Sequence, residues 1–449
     1  MALPEPQITV LARDPAQRQF NINCNSFQQD AVVSFNGWQY ATFFTFLQSD
    51  EPPVAASAEP LYVHLARRRL PRGEWEVMVL DDYAQTTDDG HNTVQMGICP
   101  GDGTIHLSYD HHCDVLRYRY SVRGLATDPE KFDWTPSLFT PTLDYLPGLP
   151  STHRHFGYVT YPRFGFLGDD MFCSFRDGKA GLGNDYLYIY SGRTGRFDFV
   201  GAHLTGVQSN PYVHGMDWRD GRLHVTWVYR GFVYYDGWDD PLDTKHKQQS
   251  GPNTNENNHN ICYAYSEDKG YTWKNGAGKV IADLRKGETI ANDAEGIVAF
   301  KIPKNSGLSN QEAQAVDQDG GVHVLNRDKR DGGASAMWKH YYKPLNGAWT
   351  QRPIRPISGR ARGRLAISKT GDLYVILPDF AASRLQILKA SKAGGYSSYD
   401  EVWTGQGLTG EPLVDSARLE HDNVLSVLVL AEEKAAPGER KVVVLDFQL

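Results

Sequence analysis

Three histidines in one short stretch carry spacing that chemistry could use. In DDGHNTVQMGICPGDGTIHLSYDHHCDVLRYR, Asp88 to Arg119, His91 sits on a turn and His111 and His112 close a strand 20 and 21 residues later. A second stretch, HRHFGYVTYPRFGFLGDDMFCSFRDGKAGLGN from His153, holds Tyr161 one strand before Arg176. A hairpin would bring both to the same end. Neutral imidazoles and phenols exchange protons near neutral pH, and a guanidinium grips a carboxylate through two parallel hydrogen bonds. Together they suit proton abstraction beside a carboxylate: Arg neutralises the acid, one group takes the proton and another protonates the leaving oxygen.

These groups need elements that converge. One unit recurs along the chain, a turn with Gly or Asp followed by a strand of alternating apolar and aromatic residues. The copies are FNGWQYATFF, GDGTIHLSYD, LGDDMFCSFR, RDGRLHVTWVYR, QDGGVHVLNR, KTGDLYVILPD and EHDNVLSVLVL. Their turns fall near 37, 103, 168, 221, 320, 371 and 422, a spacing a propeller blade of four strands fills. The expectation is an all-β, seven-bladed β-propeller of four-stranded antiparallel blades, one domain over 1–449. Its ring would be closed by pairing ITVLA near the N-terminus with the C-terminal KVVVLDF. The long step between 221 and 320 holds a polar insertion at about 241–260. It also holds an Asp-box at 266–273, whose polar residues fold a turn over Trp273.

Composition agrees. With 24 Tyr, 10 Trp, 43 Gly and 24 Pro, the 449 residues suit short strands and tight turns. A net charge of -8 without a basic face argues against nucleic acid, and no apolar run approaches the roughly 20 residues that span a bilayer. The opening MALPEPQITVLARD lacks the charged start and apolar core of a secretory signal. Five cysteines without CxxC spacing exclude a full disulfide framework.

Matching strand ends sit at one rim of a propeller, so the second to fifth units should face His111 and His112, Arg176, Arg230 and Arg327 toward one another. His106, His224 and His323, just after their turns, read as hydrogen-bonded structural residues. Packed cations cost energy until an anion arrives. No carboxylate pattern demands a catalytic metal, and HNIC, with His259 and Cys262, offers only two ligands to a structural metal ion. No nucleophile-elbow motif or matched carboxylate pair points to a triad hydrolase or a glycosidase.

The set DGHN, GTIHLSYDHH with LRYRYS, YVTYPRF, FRDGKAGLGN and AYSEDKGYTW resembles the BNR-4 group of seven-bladed propellers, over about residues 30 to 330. That group includes polysaccharide lyases acting on rhamnose- and glucuronate-containing glycans. The resemblance implies β-elimination at O4 of a glucuronate without a metal, by His91, Tyr161, Arg176 and one of His111 and His112; the spacing of 20 favours His111. It leaves Asn92, His112, Arg163, Arg230, Gln311 and Arg327 to bind substrate. DHHCD, Arg327 and the polar insertion favour a rhamnose-α-1,4-glucuronate lyase on gum arabic side chains over an ulvan lyase. The implied partner is an acidic polysaccharide or oligosaccharide, met by a secreted monomer. Arginines, a tyrosine and an Asp-box are also similar to sialidases, but those carry several boxes and six blades. A glycan-binding propeller without catalysis is the remaining rival.

Overall fold

A computed structural model describes residues 2–26, 30–47, 59–238, 252–329, 336–433, 436 and 438–449. Residues 241–251 of the expected insertion lie outside the described residues, and 252–260 lead into the strand Asn258–Ser266.

Seven antiparallel sheets follow one another as blades. Blade 1 is Val32–Phe35, Trp38–Thr45, Leu61–Arg69 and Glu76–Gln85. Blade 2 keeps three strands, Val94–Ile98, Ile105–Tyr109 and Tyr118–Tyr120; isolated bridges from Tyr118 to Leu143 and Ser121 to Phe139 stand in for a fourth. Blade 3 runs from Val159–Leu167 through Asp170–Asp177 and Asn184–Ser191 to Arg196–Leu204, with the short strand His112–Asp114 added at its inner edge. Blade 4 opens with Ser209–Arg219, Arg222–Gly231 and Asn258–Ser266. Blades 5 and 6 span 313–356 and 364–406. Blade 7 joins Leu408–Val414, Val424–Glu432 and Arg440–Gln448 to the N-terminal strand Gln7–Asp14, which pairs antiparallel with Arg440–Gln448 as expected.

The repeated turns link each blade's innermost strand to its second. Asn36-Gly37 and Asp220-Gly221 both have positive φ, 48° and 78°, the backbone that a two-residue hairpin needs to match strand twist. In blade 7 a helix, Ser416–Asp422, fills this link and ends on left-handed Asn423.

Buried apolar residues form seven clusters, one between each pair of neighbouring blades. Second strands are therefore covered on both faces, which is why Trp38–Thr45 is buried at every position instead of alternating. The Asp-box folds as its residues dictate. The Ser266 hydroxyl accepts from the Gly270 amide at 2.8 Å, Asp268 from the Thr272 amide at 2.7 Å, and Trp273 is buried. All five cysteines are buried and none is in a disulfide.

Burial also makes the fold acid-sensitive. It lowers His64, His203 and His224 to about 4 and His106 and His214 to about 3. The unfolded chain binds these protons near 6.5, so the stability they contribute is complete above that pH and is lost as pH falls toward 3–4. The melting temperature is expected to drop by roughly 10 °C or more between pH 7 and 4.5; a flat profile by circular dichroism would contradict this.

Candidate active site

The site is built where the far ends of the second strands in blades 2 to 4 meet the inner strand of blade 3. After Tyr109, left-handed Asp110 at φ 62° breaks the strand, and Cys113 at φ 60° turns the chain again. Between them His112 pairs with Thr160 of blade 3. These two kinks decide the direction of each histidine.

His112 faces His91. Their rings stack with centroids 4.0 Å apart, and both Nδ1 atoms reach one carboxylate, Asp89, at 2.5 Å from His91 and 2.6 Å from His112. His111 turns the other way. It is buried, its Nε2 accepts the Arg117 amide at 2.9 Å, and its Nδ1 has no hydrogen-bond partner among the described residues. The structure thus places His112, and not the His111 favoured on spacing, beside His91: the left-handed residue at 110 shifts the alternation that a regular strand would keep.

Tyr161 sits in the irregularity between Thr160 and Arg163 of the inner strand, at φ 57°, a strained backbone for a tyrosine. The distortion re-aims its ring to 5.7 Å from His91. The Arg176 guanidinium lies 5.0 Å from the centre of the Tyr161 ring and donates to the Tyr212 hydroxyl at 3.4 Å. Arg230 lies 4.4 Å from the centre of the Tyr212 ring and donates to Asn255 and Asn258. A continuous row thus runs His112, His91, Tyr161, Tyr212, with Arg176 and Arg230 against its tyrosines.

The electrostatics follow from burial. It lowers His91 to about 4, helped by His112 and Arg176 and opposed by Asp89. Burial works against the Asp89 carboxylate too, but the hydrogen bonds from His112 and His91 outweigh it and hold Asp89 well below the usual range. Burial and Tyr212 raise Tyr161, against the pull of Arg176, Arg230 and Arg362. At neutral pH the row offers neutral His91, with its Nδ1 proton held by Asp89, and a protonated phenol. Arg176 and Arg230 are buried with no carboxylate partner among the described residues. Such cations are costly unless an anion joins them.

The remaining expected residues divide. Asn92 donates to Asp110 at 2.6 Å, which ties the His91 turn to the broken strand end. Gln311 is buried at φ 51°, just before the inner strand of blade 5, with its Oε1 unpartnered among the described residues. Arg163 and Arg327 do not offer open cations. Arg163 is ion-paired with buried Asp185 at 3.0 Å. Arg327 is 3.3 Å from Glu312, donates to the carbonyl oxygens of Ala361 and Arg360, and lies over Trp338. The structure thus holds both residues expected to contact substrate in buried ion pairs. His106, His224 and His323 bond to Tyr118, Tyr263 and Asp317 as structural residues.

Sequence reasoning missed Asp89 and Tyr212. Asp89 stands two residues before His91, the offset at which an Asp side chain caps its own turn, and it does accept the His91 amide at 2.9 Å. Tyr212 lies beside a proline near the start of an inner strand, as Tyr161 does one blade earlier. Among the described residues Asp89, His91 and His112 are also the group whose atoms lie close enough for a metal, within 4.8 Å. Their rings are 18° from parallel, so in-plane lone pairs on stacked imidazoles do not converge on one ion. Hydrogen bonding to a shared carboxylate fits that geometry better.

One rim of a seven-bladed propeller thus carries stacked histidines, a strained tyrosine and buried arginines that have no carboxylate partner among the described residues. Residues 38–356 match the BNR_4 family, described as BNR repeat-containing family member, and the chain belongs to that family. It is 24% identical over 298 residues to the long isoform of ulvan lyase from Pseudoalteromonas sp. (strain PLSV), covering 57% of this chain and 28% of that protein. To the short isoform from Alteromonas sp. (strain LOR) it is 24% identical over 221 residues, covering 42% and 39%. The chain thus spans well under half the length of these relatives. Among solved structures, the polysaccharide lyase Uly1 superposes with a TM-score of 0.71 at 18% identity over all of both chains. A PL25 ulvan lyase bound to -[GlcA(1-4)Rha3S]- superposes at 0.64 and 13% identity, over 97% of this chain and 95% of that one. These likenesses carry the fold.

Proposed function

We infer that the protein is a polysaccharide lyase that breaks the C4–O4 bond of a glucuronate carrying rhamnose on O4, by β-elimination. The observation that carries this is the pair of buried arginines, without a carboxylate partner among the described residues, beside a neutral imidazole and a protonated phenol. Arg176, with Arg230, takes the glucuronate carboxylate and stabilises the charge that spreads onto it when the C5 proton leaves. The His91 and His112 pair receives that proton on Nε2, since Asp89 occupies Nδ1 of both rings. The electron pair forms the C4–C5 double bond, and O4 departs with the Tyr161 proton.

The preferred substrate is a terminal rhamnose-α-1,4-glucuronate on arabinogalactan side chains such as those of gum arabic, with release of rhamnose. DHHCD still supports it; Arg327, held by Glu312, no longer does. A second reading, a sulfated rhamnose–glucuronate polymer, is supported by the ulvan lyases among the relatives. Either substrate is extracellular, which favours secretion. No helix among the described residues is long and apolar enough to cross a membrane.

Incubation with gum arabic and with ulvan decides. Ultraviolet absorbance of an unsaturated uronate is expected, with free rhamnose from gum arabic alone and with rates unchanged by EDTA. No chromophore from any glucuronate polymer would refute elimination. With His91 near 4, kcat/KM is expected to hold from neutral pH to about 5 and to fall below about 4 as the imidazole is protonated. An acid limb at 6.5 in folded protein would contradict a neutral, buried base.

A further inference from the structure

A second cation-lined cavity lies away from this row, between blades 4 and 5. It has a volume of about 360 Å³ and is bordered by Arg222, Tyr263, Tyr265, Lys343 and the Gly276–Gly278 turn. Arg222 begins the strand that ends with Arg230 and Gly231, so the two sites are separated by the length of that strand, about 26 Å at 3.3 Å per residue. The cavity therefore opens on the propeller's opposite face.

Lys343 is the unusual group. It is 9% exposed, and its ammonium donates to the carbonyl oxygens of Leu345 at 3.1 Å and Pro344 at 3.4 Å, with no carboxylate partner among the described residues. Burial lowers its pKa, and the charge of Arg222 lowers it further. Arg222 is partly neutralised by Glu267 at 2.8 Å. Its guanidinium lies 4.9 Å from the centre of the Tyr265 ring, which is stacked at 6.2 Å on Tyr263. Two cations at a polar cavity, one of them buried without a carboxylate partner among the described residues, suit an anion. The tyrosine wall adds a flat face suited to the C–H side of a sugar ring.

We propose that this cavity is a second binding site for an acidic sugar, its carboxylate or sulfate held by Lys343 and Arg222 and its ring laid against Tyr265. The identity of the polymer rests on the lyase reading above; the anion site does not. Such a site would hold a polymer by one segment while another enters the active site, raising the effective concentration of cleavable ends.

The test uses the full chain carrying Arg176→Ala, which removes turnover, and titrates a glucuronate-containing oligosaccharide and, separately, inorganic sulfate by calorimetry. The oligosaccharide is expected to bind, to weaken at least tenfold when Lys343→Met is added, and to recover with Lys343→Arg. Sulfate alone is expected to bind at least tenfold more weakly. In the otherwise native protein, Lys343→Met should leave turnover of a short substrate unchanged and raise KM on polymer severalfold. Arg222→Gln, on the partly exposed rim, should show the same loss and stands in if Lys343→Met does not fold. Unchanged affinity in folded Lys343→Met or Arg222→Gln overturns the site. Sulfate binding as tight as the oligosaccharide overturns the sugar assignment. The two calorimetric readouts are binding measurements, so they remain separate from the appearance of the lyase chromophore.

Discussion

Replacing Arg176 with alanine is expected to lower kcat/KM on a glucuronate substrate by about 10³-fold or more, while the protein keeps its fold and its melting temperature. The rate loss follows from the role: one preorganised donor to a developing oxyanion is worth about 10²–10³-fold, and this one also neutralises the carboxylate that makes C5–H acidic. Preserved stability follows from the surroundings. Arg176 is buried against Tyr161, Tyr212 and the Cys113 sulfur, with no carboxylate partner among the described residues, so truncation leaves no stranded anion. Arg163 on the neighbouring strand gives the contrast. Arg163→Ala would strand buried Asp185, a loss of about 3–5 kcal/mol. Thermal melts and kinetics on the two variants separate these outcomes; if Arg176→Ala unfolds the protein or retains native turnover, the assignment is wrong.

Tyr161→Phe is the second large effect. Loss of a positioned proton donor costs about 10²–10⁴-fold. The ring is the part that packs, against His91 and Tyr212, and phenylalanine keeps it. KM should change little, because the guanidinium that holds the carboxylate is untouched. A substrate whose O4 leaving group is a good phenolate needs no proton, so the variant should recover most of its rate on an aryl 4-O-linked glucuronate. Equal losses on the aryl and sugar substrates would show that Tyr161 only positions its neighbours.

The fold was legible because its signal is redundant. Seven turns with Gly, Asp or Asn, each ahead of an apolar strand, mark the blades even where blade 2 keeps only three strands. The site was legible in its residue types and less so in their directions. His111 and His112 are equivalent on paper; the left-handed backbone at Asp110 and Cys113 selects between them, and neither residue type announces it. The arginines show the same limit. Arg163, Arg176, Arg230 and Arg327 all lie on strands of the repeated units, yet two are neutralised, by Asp185 and Glu312, which stand on other strands or loops. Whether a buried cation is spent or open depends on its neighbour across the sheet, and that pairing is not a sequence-local property.

Pairing of Gln7–Asp14 with Arg440–Gln448 also governs the order in which the molecule can be made. Gln7–Asp14 is made more than 430 residues ahead of its partner Arg440–Gln448 and waits for it before blade 7 exists. At 5–20 residues per second that wait lasts tens of seconds. The histidine and arginine blades can collapse meanwhile, whereas the ring remains a horseshoe with two bare edges. Aggregation during synthesis should therefore track the survival of those edges, and a circular permutant that joins the present termini and opens a blade boundary elsewhere would keep the same ring while changing which edge waits.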